Sequence, residues 1–197
     1  MNRPYLSADL RRAETVAAVV QLAASHDPAA MTTSQIAAAM GVSQGALFRH
    51  FPDKQSIWLA VLEWTSAELD ARFDALPAAA PLDRLAAMVD AHVAFVVAQP
   101  GVPRILFGEL QRAGDTPTKA IVRRLMAGYR QRVADELVVA RSDGAIPADT
   151  DIDAATMLFL AMVQGLVMQA LAMDDFSTTA AMARRLFARF RAAVGAA

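Results

Sequence analysis

The sequence predicts an all-α protein of about nine helices, and three observations carry that reading. Apolar residues recur at helical spacing along most of the chain. The hydrophobic content of 55% is rich in Ala, includes 10 Met and shows little β-branched clustering beyond Val pairs, which favours helices. No strand-like alternation or internal repeat stands out. The predicted architecture is a three-helix helix-turn-helix head over residues 1–52, joined through helix four to a helical body over residues 53–197.

Ser7 is placed to cap helix one, about Ala8 to Ser25, whose Leu10, Val16, Val20 and Ala24 can face the next two helices. His26, Asp27 and Pro28 stop it. Thr32 or Thr33 can cap helix two, which carries Ile36, Ala37 and Met40 on one side. Gly41 ends that helix because glycine takes the left-handed conformation other residues avoid. Val42 is an apolar plug, and Ser43 caps helix three, Gln44 to His50. There Leu47 and Phe51 share one face, while Gln44, Ala46, Arg49 and His50 fall away from it. A short helix with apolar anchors and polar tips left outside fits a helix-turn-helix that presents its second helix to the DNA major groove.

Pro52 and Asp53 restart the chain into helix four, which runs through Ile57, Val61, Trp64 and Phe73 and ends before Pro77. Helix five spans Pro81 to Gln99, bounded by Pro100 and Gly101, and helix six about Val102 to Arg112. Gly114 to Pro117 introduces helix seven, about Thr118 to Ser142. An acidic loop leads to helix eight, about Ile152 to Met173. Ser177 is placed to cap helix nine, which continues through Ala193.

The segment Gly41 to Trp58, GVSQGALFRHFPDKQSIW, resembles the signature of TetR-type bacterial repressors, with a Gly-Val-Ser turn, an aromatic-x-His-Phe end and a Lys opening helix four. The resemblance extends over roughly Arg11 to Trp64 and is architectural beyond that. The acidic stretch Gly144 to Asp153 is also similar to one often found before helix eight. It implies a homodimeric, ligand-responsive repressor acting in the cytoplasm on double-stranded palindromic operator DNA. Position by position, it implies Thr33, Phe48, His50 and Lys54 near phosphates, with Ser43 as a cap. Many members have Tyr where this chain has Phe48, and Phe cannot donate a hydrogen bond to phosphate. Gln44, Ala46 and Arg49 are the candidate base readers: Gln pairs with adenine, Arg with guanine, and an Ala methyl touches a thymine methyl. Gly45 leaves room for close backbone approach.

Several other readings fail on their own terms. The chain has no Cys, which removes disulfides, thiolate nucleophiles and most structural zinc sites and fits a reducing compartment. The opening residues lack the apolar core of a signal peptide. Net charge is −1, and the five basic residues up to Lys54 exceed the four acids by one. DNA binding must therefore rest on local placement of charge and on helix N-termini. Gly41 to Gly45 matches the G-x-S-x-G hydrolase elbow, but a helix rather than a strand precedes Ser43. Asp149, Asp151 and Asp153 mimic the opening of a calcium loop, yet Ala154 and Leu160 stand where glycine and glutamate are required. His26, His50 and His92 have no metal-ligand spacing with one another. No metal or cofactor is expected, and no enzyme.

Ala154 to Met173 is a run of 20 mostly apolar residues, long enough to suggest a membrane span. Thr156, Gln164 and Gln169 interrupt it, and Asp151, Asp153, Asp174 and Asp175 flank it without a basic anchor. A helix buried on both sides in an oligomer core fits better, with no membrane involved. Leu158, Ala161 and Gly165 from helix eight, with Met182, Leu186 and Phe190 from helix nine, are the expected dimer contacts. Aromatic and Met residues mixed with polar groups suggest a site for a small, largely apolar effector: Trp64, His92, Phe95, Arg104, Phe107, Gln111, Met126, Tyr129, Phe159, Gln164 and Met168. A ligand-independent DNA-binding dimer is the alternative. A small helical enzyme has no nucleophile–base or carboxylate pair to support it.

Overall fold

The structure, a computed structural model, describes residues 8–195, and among them there are nine helices and no strand. They are α1 (Ala8–Ala23), α2 (Thr33–Ala39), α3 (Gln44–Phe48), α4 (Lys54–Asp74), α5 (Pro81–Ala98), α6 (Gly101–Gln111), α7 (Pro117–Ser142), α8 (Ile152–Met173) and α9 (Thr179–Gly195). The expected cap Ser7 lies outside the described residues.

Local chemistry explains most boundaries. Thr32 caps α2 through a reciprocal pair: its side chain accepts from the Gln35 N–H, and the Gln35 side chain accepts from the Thr32 N–H. Gly41 then turns the chain at φ 64°. The Ser43 hydroxyl accepts from the Ala46 N–H at 3.2 Å and opens α3. That helix ends at Phe48, earlier than the expected His50, where the His50 and Phe51 N–H groups both turn to the Leu47 carbonyl. Asp53 opens α4, accepting from the Ser56 N–H at 2.7 Å while the Ser56 hydroxyl donates back to the Asp53 carbonyl at 2.7 Å. Asp151 caps α8, and Asp174 closes it in the left-handed region at φ 50°. Ser177 does not cap α9: its N–H is taken by the Asp175 carboxylate at 2.7 Å in a turn, and the helix starts two residues later. The Ser177 hydroxyl and, after it, the Ser177 N–H hydrogen-bond the Asp175 carboxylate and hold it below its ordinary pKa.

Packing divides the chain into two units. The first takes the residues up to Ala67 together with Gln99–Val122, and the second takes Glu68–Ala98 with the residues from Arg123 on. The first unit thus reaches beyond residue 52, because α6 packs on α1 within it. Gly101 makes this possible: a Cβ there would lie 2.0 Å from the Val20 carbonyl oxygen. The first core contains Val16, Val19, Val20, Met31, Ile36, Leu47, Phe51, Ile57 and Val61. Leu10, expected to join it, is instead 54% exposed, one turn too early on α1.

In the second unit α9 packs on α5 and α8. Its core unites Leu85, Val89 and Val93 of α5, Val133 and Leu137 of α7, Phe159, Val163 and Val167 of α8, and Ala183, Phe187 and Val194 of α9. Phe190, expected at a dimer contact, also turns inward: its ring meets Phe159 at 5.5 Å and Phe187 at 5.7 Å. Helix α8 is long and apolar enough to cross a membrane by length and composition. One of its faces, from Ala155 through Phe159, Val163, Val167 and Ala170, is buried within the unit. The expectation of burial on both sides is therefore met on one side only within a single chain.

Candidate nucleic-acid interface and ligand site

The turn and two short helices of the head hold a compact set of polar groups at the surface. Leu47 and Phe51 are buried and anchor α3, whereas Gln44, Gly45, Phe48 and Arg49 are exposed and Ala46 and His50 half-buried. This is the division that the apolar spacing implied. Phe48 is 41% exposed, costly for an aromatic ring unless something covers it. Gly45 has no internal reason to be glycine: the nearest atom to a Cβ there would be the Ser43 hydroxyl, at 4.0 Å.

Two of the candidate DNA contacts bind each other, the Gln44 side-chain amide donating to the Thr33 hydroxyl at 2.7 Å. Lys54 donates its ammonium to the Ala29 carbonyl at 3.1 Å and lies 5.8 Å from the Trp58 ring centroid. Arg12, which the sequence did not single out, donates to the His50 carbonyl at 3.0 Å and lies 4.6 Å over the Phe51 ring. It thereby ties α1 to the end of α3. Only long-range packing reveals such a partner, since 38 residues separate Arg12 from His50.

The candidate effector residues fall into both units. Trp64, Arg104 and Phe107 are half-buried in the first unit, and Gln111 there is exposed. In the second, His92, Phe95, Met126, Tyr129 and Phe159 face inward to different degrees. Gln164 and Met168 do not line an interior. Helical period puts them on the exposed face of α8, opposite Phe159, Val163 and Val167.

Four rings meet inside the second unit. Tyr129 lies 4.9 Å from Phe73, 5.5 Å from His92 in a stacked arrangement, and 6.2 Å edge-on from Phe159. Among these rings the Tyr129 hydroxyl and His92 Nδ1 are buried with no protein hydrogen-bond partner, as is the Thr156 hydroxyl on α8. Burial alone pushes His92 down to about 4 and the Tyr129 hydroxyl well up, so both are neutral at pH 7. Such orphaned groups cost free energy and call for a polar partner. Thr156 was not anticipated as a site residue, whereas Phe73 belongs to the aromatic and Met residues that could line a cavity.

On the other side of α8, Leu158, Ala161, Gly165 and Met173 join Met182 and Leu186 of α9 around an open apolar groove of ≈ 760 Å³. Leu158 is 48% exposed, and a Cβ on Gly165 would touch nothing.

Comparison with known proteins accounts for this layout. The pattern described as bacterial regulatory proteins of the tetR family matches residues 16–61, and that described as the tetracyclin repressor-like C-terminal domain matches residues 78–168. The nucleoid occlusion factor SlmA of Vibrio cholerae is 29% identical over 156 residues, covering 75% of this chain and 78% of its own. SlmA of Cronobacter sakazakii is 34% identical over 101 residues, 50% of this chain and 51% of its own. A TetR transcription regulator from Haloarcula marismortui superposes with TM-score 0.82 at 18% identity, over 94% of this chain and 98% of the other. The fatty acid degradation regulator FadR from Bacillus halodurans does so with TM-score 0.78 at 16% identity, over 96% of each. These two show the fold alone. The chain belongs to the TetR family. It is a DNA-binding transcriptional regulator and not an enzyme.

Proposed function

We propose that the protein is a ligand-responsive repressor, working in the cytoplasm, that binds a palindromic operator as a homodimer. Gln44, Ala46 and Arg49 read bases, while Thr33, Phe48, His50 and Lys54 lie along the phosphates. The exposed faces of α8 and α9, through Leu158, Ala161, Gly165, Met182 and Leu186, join two copies. A small, largely apolar effector enters the second unit and weakens DNA binding. The observation that carries the effector is the pair of buried, unpartnered polar atoms on His92 and Tyr129 within a ring-lined interior. A neutral imidazole and a phenol suit an uncharged oxygen on an otherwise apolar molecule. Coupling of about 1–3 kcal/mol between effector and operator is sufficient for release near threshold.

A second reading has its own support. The Vibrio cholerae and Cronobacter sakazakii relatives carry the name nucleoid occlusion factor, which favours a DNA-bound dimer whose job needs no effector.

Selection of bound fragments from the genome, followed by a screen of compounds linked to neighbouring genes, separates the two. A repressor yields few sites beside promoters, and one compound class both releases the DNA and raises the melting temperature with concentration. Many dispersed sites, with no compound doing either, favour the second reading.

A further inference from the structure

The first unit contains a cleft of ≈ 650 Å³ that shares only Lys54 with the proposed DNA contacts. The volume lies within the range of about 300–1,000 Å³ usual for small-molecule sites. Ala29 stands on one side, Lys54 and Trp58 of α4 on another, and Ile105 and Glu109 of α6, with Arg112 just beyond its end, on a third. Its buried acid, Glu109, is already occupied, and the exposed Asp27 is partly so. Asp27 accepts from the Ala29 N–H at 2.9 Å. Glu109, buried, accepts from the Thr118 hydroxyl at 2.6 Å and from Arg112 at 3.2 Å.

Two of its cations, Lys54 and Arg112, are not saturated. Lys54 gives one hydrogen bond, to the Ala29 carbonyl, out of the three an ammonium can give. Arg112 gives one, to Glu109, out of the five of a guanidinium. The unspent capacity is thus donor-rich and positive, beside an apolar wall made by Trp58 and Ile105. A donor-rich pocket whose buried carboxylate is internally satisfied favours an anion over a cation.

We propose that this cleft binds a small organic anion, its charged oxygens taken by Lys54 and Arg112 and its apolar body set against Trp58 and Ile105, and that occupancy opposes operator binding. The second clause rests on the reading of Lys54 as a phosphate contact. An anion in the cleft holds the Lys54 ammonium towards Ala29 and so withholds it from a phosphate.

Titration calorimetry with benzoate, its uncharged analogue benzamide and inorganic phosphate tests the site on the full chain. Benzoate is expected to bind, phosphate to bind more weakly for want of an apolar body, and benzamide to bind at least roughly tenfold more weakly, the worth of one charge-assisted hydrogen bond. Arg112→Gln should cost benzoate a similar factor. Gly108→Phe should abolish binding, because Gly108 lines the cleft and a Cβ there meets nothing. Both variants should keep the melting temperature and operator affinity of the free protein. Equal affinity for benzoate and benzamide, or unchanged benzoate binding in both variants, overturns the anion site. Operator affinity is then measured with and without benzoate, and DNA should weaken benzoate by the same factor by which benzoate weakens DNA. Benzoate that binds without changing operator affinity overturns the competition. Failure of the free protein to bind DNA overturns the reading of Lys54 and leaves the calorimetric result standing.

Discussion

At Gln44 the side-chain amide rests on the Thr33 hydroxyl, and at Arg49 the guanidinium stands exposed at the end of α3. If these two read bases, Gln44→Ala and Arg49→Ala each relax base preference, at a cost of about 1–3 kcal/mol at the base concerned. Lys54→Ala should weaken all sequences alike and flatten the salt slope by about one unit. Binding-site selection with each variant checks this, and a changed preference for Lys54→Ala alone would contradict the assignment. A second residue-scale outcome concerns His92, whose folded imidazole titrates near 4 against 6.5 when free. As pH falls below 6.5 the unfolded chain takes up a proton that the folded one refuses. The contribution of neutral His92 is therefore complete above 6.5 and is lost as pH falls towards 4. Urea unfolding at pH 7 and pH 4.5 should show His92→Gln losing about 2–3 kcal/mol less than wild type over that interval. Equal losses would mean that the ring is solvated.

Helix ends and faces decide how far the sequence could be read. Capped helices were legible to within a residue or two: the Thr32, Ser43 and Asp151 side chains fix their starts by contacts a few residues away. The polar surface of α3 was legible for the same reason, since Leu47 and Phe51 set its rotation. Ser177 misled because its hydroxyl is engaged by the Asp175 carboxylate in the preceding turn rather than by the N–H groups of α9. Phe190 packs inward while still lining the α8/α9 groove, and Gln164 and Met168 lie on the exposed face, because an apolar helix with two usable faces does not say which one its own chain covers. Arg12 and the Glu109–Thr118 bond join segments whose pairing depends on tertiary packing. The approach of α6 to α1 belongs with these, and it makes a sharp demand on Gly101. Gly101→Ala sets a methyl against the Val20 carbonyl, so it should destabilise by several kcal/mol, of order 3 or more, as overpacking against backbone does. Gly128→Ala, inside α7 with open space at its Cβ, should instead stabilise by about 0.5–1 kcal/mol through helix propensity. Thermal melts of the two variants provide the check. A Gly101→Ala protein as stable as wild type would show that α6 does not pack this closely.

For the whole molecule the decisive quantity is how many chains sit on one operator. A single chain leaves Met157, Leu158, Met168, Met173 and Met182 exposed along α8 and α9, an apolar expanse that a monomer rarely shows to water. Two-fold pairing of these faces makes a four-helix bundle and also supplies two heads. Those heads should then engage major grooves about one helical turn, roughly 34–36 Å, apart. Gly165→Leu, set in the groove with space around its Cβ, should weaken dimerisation and operator binding together while leaving each chain folded. Sedimentation of the protein at micromolar concentration, alone and with the selected duplex, tests this most directly. The account predicts a dimer in solution and two chains on each palindromic site. A well-folded monomer that binds the same site one to one with undiminished affinity would contradict it.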